Sequence, residues 1–171
     1  MSYIALWVVG GSVLATVFSS AGPCYYGRLG LSPDPYQGLM IYLRQLNETL
    51  PIWAVSIQNV LWDGHLQHSY ISPVSAMPSL HNASALLFAI MGFRINRFCG
   101  WLLSAHAFLI VLGSFHLGWH YAVDSYFAWA LTLSVWKLTA PVAHWWQVIL
   151  AQQKRKRLAP SESLLLQSKP I

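Results

Sequence analysis

Charge is scarce in this chain: Lys and Arg supply 10 of its 171 residues and Asp and Glu 5, so 9% are charged against 56% hydrophobic. A water-soluble domain holds roughly 25% charged residues, which excludes an ordinary soluble fold and requires apolar surface that faces lipid. Cysteine is nearly absent. Cys24 and Cys99 have no metal-ligand spacing to other residues and fall at opposite ends of the topology derived below, which excludes a disulfide between them and leaves both as apolar fillers. No internal repeat is visible. A positively charged start is missing too. Met1 to Ser20 is apolar and ends in small residues, yet without leading basic residues it is a first span rather than a cleaved secretory signal.

Long apolar runs are what the chain does have, at about 3 to 20, 83 to 93, 98 to 115 and 121 to 138. A bilayer core takes roughly 20 residues of helix at about 1.5 Å each. The second run reaches that length only if Ser79 to Asn82 form its first turn, which sets polar groups at the membrane surface. The expected fold class is all-α, a polytopic membrane helix bundle with four transmembrane helices and interfacial helices beside them. The formal charge of +5 follows this topology. Arg94 and Arg97 lie between the second and third runs, and Lys154-Arg155-Lys156-Arg157 follows the fourth, so the positive-inside rule places both groups in the cytoplasm. Lys137 snorkels toward the same side. Both termini are then cytoplasmic, and the 21 to 78 segment shares the opposite, extracytoplasmic face with the tight 113 to 121 connection. The basic cluster suits anionic lipid headgroups, and no nucleic-acid partner is expected.

Prolines punctuate the outer segment. Gly22-Pro23 and Ser32-Pro33-Asp34-Pro35 predict loop. Leu39, Leu43, Leu46 and Leu50 recur at helical spacing and predict an interfacial helix over 36–50 that Pro51 ends. Residues 52–62 are too short to span and predict a second interfacial or re-entrant piece, with Asp63-Gly64 turning the chain. Pro141 is expected to break the last helix. Three segments result: a membrane domain over 1–140, an interfacial basic segment over 141–158 carrying Trp145-Trp146, and a disordered tail over 159–171. His65 and His68 are expected on loop surface, His106 and His144 in core or interface.

Polar groups in or beside spans are costly and are kept where they face a cavity, a partner or a substrate. Here they concentrate in Met77-Pro78-Ser79-Leu80-His81-Asn82 and in the stretch from Gly113 to Asp124, which the topology opens on one face. Ser79 is a good N-cap, and a helix start offers free N–H groups and partial positive charge to an anion. His81 lies in that first turn. Asp124 follows His120 by one helical turn, so its carboxylate is placed to fix the imidazole tautomer and leave the other ring nitrogen to attack. His81 is then the general acid for the leaving oxygen. His116 with His120 and Asp124 also suggests a zinc or iron site. A single pair of that kind is weak, and no metal or other cofactor is expected.

The segments PSLH at 78–81 and HLGWHYAVD at 116–124 resemble the second and third signature motifs of the type 2 phosphatidic acid phosphatase superfamily. PSLH in place of PSGH resembles its inositolphosphotransferase-like branch, which includes the inositol phosphorylceramide synthases. The resemblance covers roughly residues 1–140. It implies a phosphohistidine nucleophile at His120, an orienting acid at Asp124, a proton donor at His81 and a phosphate hydrogen-bond donor at Ser79. Where the third motif commonly begins Ser-Arg, this chain has Gly113-Ser114, which leaves Ser114 and His116 to replace an arginine; Arg28 is the nearest candidate for the charge of an unrecognisable first motif. The family fold has six spans, of which these resemble the last four, so the domain is expected to be N-terminally incomplete. The implied substrate is a lipid phosphate ester, with water, inositol or a sugar hydroxyl as acceptor. The competing readings are an idle relative kept as a membrane interaction module and the histidine-ligated metalloprotein.

Overall fold

The computed structural model describes the backbone of residues 1–67 and 75–167, and side chains as far as Gln153. It is all-helical, with no strand among the described residues. Helix α1, Ser2–Val17, is largely apolar and wound as a π-helix over Trp7–Leu14. Two short 3₁₀ turns, Pro23–Tyr25 and Gly27–Leu29, lead to α2, Gln37–Thr49, and α3, Trp53–Leu66. Then come α4, Leu80–Ile95, α5, Arg97–His116, and α6, Ala122–Gln167.

Helices α4 and α5 form a tight hairpin joined by one residue. Asn96 both ends α4 and caps α5, its side-chain oxygen accepting from Cys99 N at 2.7 Å. The helices close on each other at Gly100, where a Cβ would meet the Phe93 ring at 2.3 Å. Leu6, Ala83, Leu87, Ala128 and Val135 make a core that joins α1, α4 and α6. Thr132 reaches across it, donating to the Ala83 and Ala128 carbonyls at 3.2 and 2.8 Å, so a hydroxyl in an apolar core is satisfied without water.

A second cluster holds the segment from 21 to 67 together: Cys24, Tyr25, Met40, Leu43 and Val55. The helix expected over 36–50 is present as α2, but Met40 and Leu43 are its buried residues and Leu50 ends the helix exposed. Burial raises the Cys24 thiol to about 12, which leaves it an inert apolar filler.

The largest apolar side chains face outward. On α5, Phe98, Trp101, Leu102, Phe108, Leu109 and Leu112 are exposed, the reverse of a soluble core helix. This helix is long and apolar enough to cross a membrane, and α1 and α4 are apolar but shorter.

Several expectations are corrected. Pro141 does not break the last helix: α6 runs through it and on to Gln167, so the part of the expected disordered tail that is described is helical. A proline removes one N–H and crowds the preceding turn, and such a helix kinks or continues according to its surroundings. Asp63-Gly64 does not turn the chain but lies inside α3. His65 is in the last turn of α3 rather than in a loop, its ring 5.8 Å from Trp62. His106 and His144, expected in core or interface, are exposed on α5 and α6, which excludes the core alternative alone. His68 lies outside the described residues.

Candidate active site

The start of α4 builds one wall of the site. Ser79 is the N-cap, fully buried, and its hydroxyl oxygen accepts from Asn82 N at 3.4 Å. Ala83 N bonds back to the Ser79 carbonyl at 3.0 Å, so the N–H groups of Leu80 and His81 are the ones a helix start leaves without an intrahelical partner. His81 is exposed at this end, beside the ring of His120 at 6.2 Å between centroids and 51° between planes.

His120 comes from the connection between α5 and α6. Gly118, at φ 69°, takes the left-handed conformation that ends α5, and Trp119 N and His120 N both bond to the Ser114 carbonyl. The connection is pinned from outside as well. Cys24 N donates to the Gly118 carbonyl at 2.8 Å and Gln58 Nε2 to the Leu117 carbonyl at 2.8 Å. Gly22 lies so near the Trp119 carbonyl that a Cβ would stand 2.2 Å from its oxygen. The segment from 21 to 67 therefore serves as a clamp on the His120 connection.

His120 is 8% exposed. Its Nδ1 lies 2.7 Å from the backbone oxygen of Ala76, and 3.9 Å from Asp124 Oδ2. A carbonyl only accepts, so Nδ1 carries the hydrogen and Nε2 the lone pair. Burial draws His120 down from 6.5 to about 4, against the Ala76 bond and with the help of neighbouring His81. Asp124, expected as the orienting group, accepts from Tyr121 N at 2.8 Å, three residues back at the start of α6. It closes the first turn of α6 as a capping-box acid does, and touches His120 only at longer range.

Beneath the histidine pair, three helices are tied by one residue the sequence did not single out as a site residue. Asn82 donates to the Ser125 hydroxyl of α6 at 2.6 Å and accepts from the Ser114 hydroxyl of α5 at 3.3 Å. All three side chains are buried. Its signal was present: Asn82 is the last polar residue before the second apolar run, adjacent to His81.

Two cavities meet at the pair. One, about 400 Å³, is bounded by Trp7, Gly11, Ser12 and Ala15 of α1 and by the Ala76 to His81 stretch. The other, about 460 Å³, lies between α3 and α5 and is lined by Ile57, Leu109, Ile110 and Ser114. His81, Trp119 and His120 line both. The sequence-derived residues thus separate into groups. His81 and His120 face the cavities, and Ser114 faces the second while also donating to the Ile110 carbonyl at 2.8 Å. Ser79 and Asp124 stand behind the walls as caps. His116 is exposed, its ring 6.4 Å from that of Tyr42, and Arg28 bonds Asn59 and lies over Trp62 at 5.8 Å. Neither of these lines the two cavities described. Among the described residues no three His, Cys, Asp or Glu side chains come together as metal ligands.

No curated protein and no solved structure matches the chain. A family model does, over residues 1–138, a stretch that holds every element lining the two cavities. The chain belongs to the PAP2 superfamily, which places it coarsely among phosphatase- and phosphotransferase-type enzymes.

Proposed function

We propose that the chain is a membrane enzyme that hydrolyses or transfers lipid phosphate esters through a phosphohistidine at His120, without a metal. The observation that carries this is the 2.7 Å contact between His120 Nδ1 and the Ala76 carbonyl, which fixes the tautomer with Nε2 as the nucleophilic nitrogen. A neutral, buried imidazole is already in the attacking state at neutral pH. Nε2 forms a bond to phosphorus while the bond from phosphorus to the lipid alcohol breaks, and the leaving oxygen takes a proton from His81 across the cavity. Water, or a hydroxyl of inositol or a sugar, then attacks the phosphohistidine. His81 accepts its proton and the P–N bond breaks. The free N–H groups at the start of α4 stabilise charge on the phosphoryl oxygens.

The surrounding reading is four spans, with the histidine pair on the extracytoplasmic or lumenal face and both termini in the cytoplasm. The exposed apolar faces of α1, α4 and α5 and the basic groups at 94–97 and 154–157 support it. In the same reading residues 1–140 are the membrane domain and 141–158 lie at the interface. Retention of PSLH supports the inositolphosphotransferase-like branch. A second reading, the idle relative, is favoured by one feature: no Lys or Arg lines either cavity among the described residues.

Phosphohistidine is acid-labile and base-stable, so the test is a brief reaction of the purified protein with ³²P-labelled lipid phosphates in the presence of a chelator, quenched in base. Label mapping to His120, lost in His120→Ala and suppressed by vanadate, is the expected result. Absence of label and of turnover across the lipid panel would establish the idle relative instead.

A further inference from the structure

Three tyrosine rings that line neither cavity meet beside the His120 connection. They come from separate parts of the chain: Tyr26 stands between the two 3₁₀ turns, Tyr36 is the N-cap of α2, and Tyr121 follows His120 immediately before α6. Ring centroids are 5.8 Å apart for Tyr26 and Tyr36 and 5.7 Å for Tyr36 and Tyr121, and each pair is turned at 66°. All three residues are half-buried, and none of the phenol oxygens has a hydrogen bond among the described residues. Faces set at such an angle form corners whose walls stand within the roughly 6 Å over which a cation is attracted to an aromatic ring.

A carboxylate without a counterion lies alongside. Asp34 Oδ1 accepts from Tyr36 N at 2.8 Å, and its Oδ2 is where a Cβ on Gly27, the residue after Tyr26, would meet it at 2.6 Å. Asp34 thus ties together the backbone that carries two of the rings. Among the described residues no Lys, Arg or His pairs with it. The arginines of the same segment are turned elsewhere, Arg28 to Asn59 and Trp62 and Arg44 to the Met40 carbonyl at 3.2 Å.

Such a corner selects among cations. Ca²⁺ and Mg²⁺ need roughly six oxygen ligands, and here one carboxylate stands among ring faces, with no cluster of metal ligands among the described residues. A primary ammonium carries three N–H donors and stays in water unless each finds an acceptor. A quaternary ammonium donates nothing and presents methyl groups to the rings. We propose that Tyr26, Tyr36, Tyr121 and Asp34 form a binding site for a quaternary ammonium group, separate from the histidine pair. The recognising chemistry is the same for a choline headgroup of a phospholipid and for a free soluble cation.

The probe is choline chloride, its binding to the wild-type protein in dodecyl maltoside read by saturation-transfer NMR of the N-methyl protons. The comparison ligand is the uncharged isostere in which a tert-butyl group replaces the trimethylammonium. Choline is expected to bind saturably and at least about tenfold tighter than the isostere. Asp34→Asn, which keeps an oxygen for Tyr36 N, should weaken choline by about threefold to tenfold. Tyr36→Phe should bind as wild type and Tyr36→Leu at least about tenfold more weakly; should the latter not fold, the isostere and Asp34→Asn still decide. Phosphatidylcholine or phosphatidylglycerol is then added to the micelles. Displacement of choline by phosphatidylcholine alone assigns the site to a lipid headgroup, and displacement by neither assigns it to a soluble cation. Absence of saturable binding, equal affinity for choline and the isostere, unchanged affinity in folded Tyr36→Leu or in Asp34→Asn, or displacement by phosphatidylglycerol overturns the proposal. Catalysis by His120 enters none of these measurements.

Discussion

His120 Nδ1 is held by the backbone oxygen of Ala76, 44 residues earlier, at 2.7 Å, and not by the side chain of Asp124, four residues later at 3.9 Å. The imidazole is thus oriented by the loop that leads into α4, the same loop that delivers Ser79 and His81. His120, the proposed nucleophile, and His81, the proposed acid, share one support, so their separation is set locally even though one stands in the α5–α6 connection and the other on α4.

Asp124 is expected to matter less than a direct orienting carboxylate would. Asp124→Asn keeps a side-chain oxygen for Tyr121 N and leaves the Ala76 contact untouched. It should lower kcat by roughly tenfold to a hundredfold, against at least about a thousandfold for His120→Ala. Steady-state kinetics of the two variants on one substrate checks this; equal losses would restore Asp124 as the orienting group.

The pH dependence follows from His120. The folded protein takes up this proton around 4 and the unfolded chain around 6.5, so between these values the unfolded state binds more protons. Stability from this group is complete above about 6.5 and is lost as pH falls through about 4. Thermal unfolding across that window should show the decline in the wild type and a weaker one in His120→Asn. The acid limb of kcat/KM should likewise fall well below the ordinary histidine range.

Asn82 is expected to be a stability residue first. Asn82→Leu removes the bonds to Ser114 and Ser125; Ser114 keeps the Ile110 carbonyl, while the buried Ser125 hydroxyl loses its donor, at about 1 to 3 kcal/mol. A double-mutant cycle with Ser125→Ala, read by thermal unfolding in detergent, should show coupling. Additive losses would mean the 2.6 Å contact carries no shared energy.

Gly22 should tolerate no side chain. In Gly22→Ala the new methyl must displace the Trp119 carbonyl, a backbone atom that cannot rotate away. The expected result is a loss of about 1 to 3 kcal/mol and a fall in kcat, since Trp119 precedes His120. The measurement is unfolding together with turnover, and an unaffected variant would show that the clamp is loose.

The sequence alone determined which residues are candidates for the site and roughly where the helices run. Charge scarcity and apolar runs are local quantities, and so is the Pro78-Ser79 signal that starts α4; the two histidine motifs are legible because their spacing is fixed along the chain. The Leu pattern located α2 to within a residue at each end, though its buried face was set by Met40 and Leu43. Tertiary structure decided what each polar group touches. A backbone carbonyl has no sequence signature, so Ala76 could not be found by residue type, and Asp124, one turn from His120, looked nearer to it than its capping bond to Tyr121 allows. Arg28, expected near the phosphate, is turned by the fold onto Asn59 and Trp62. Local chemistry nominated His120 and His81; only packing across α1, α3, α4 and α5 determined what lines the cavities, where no Lys or Arg stands among the described residues.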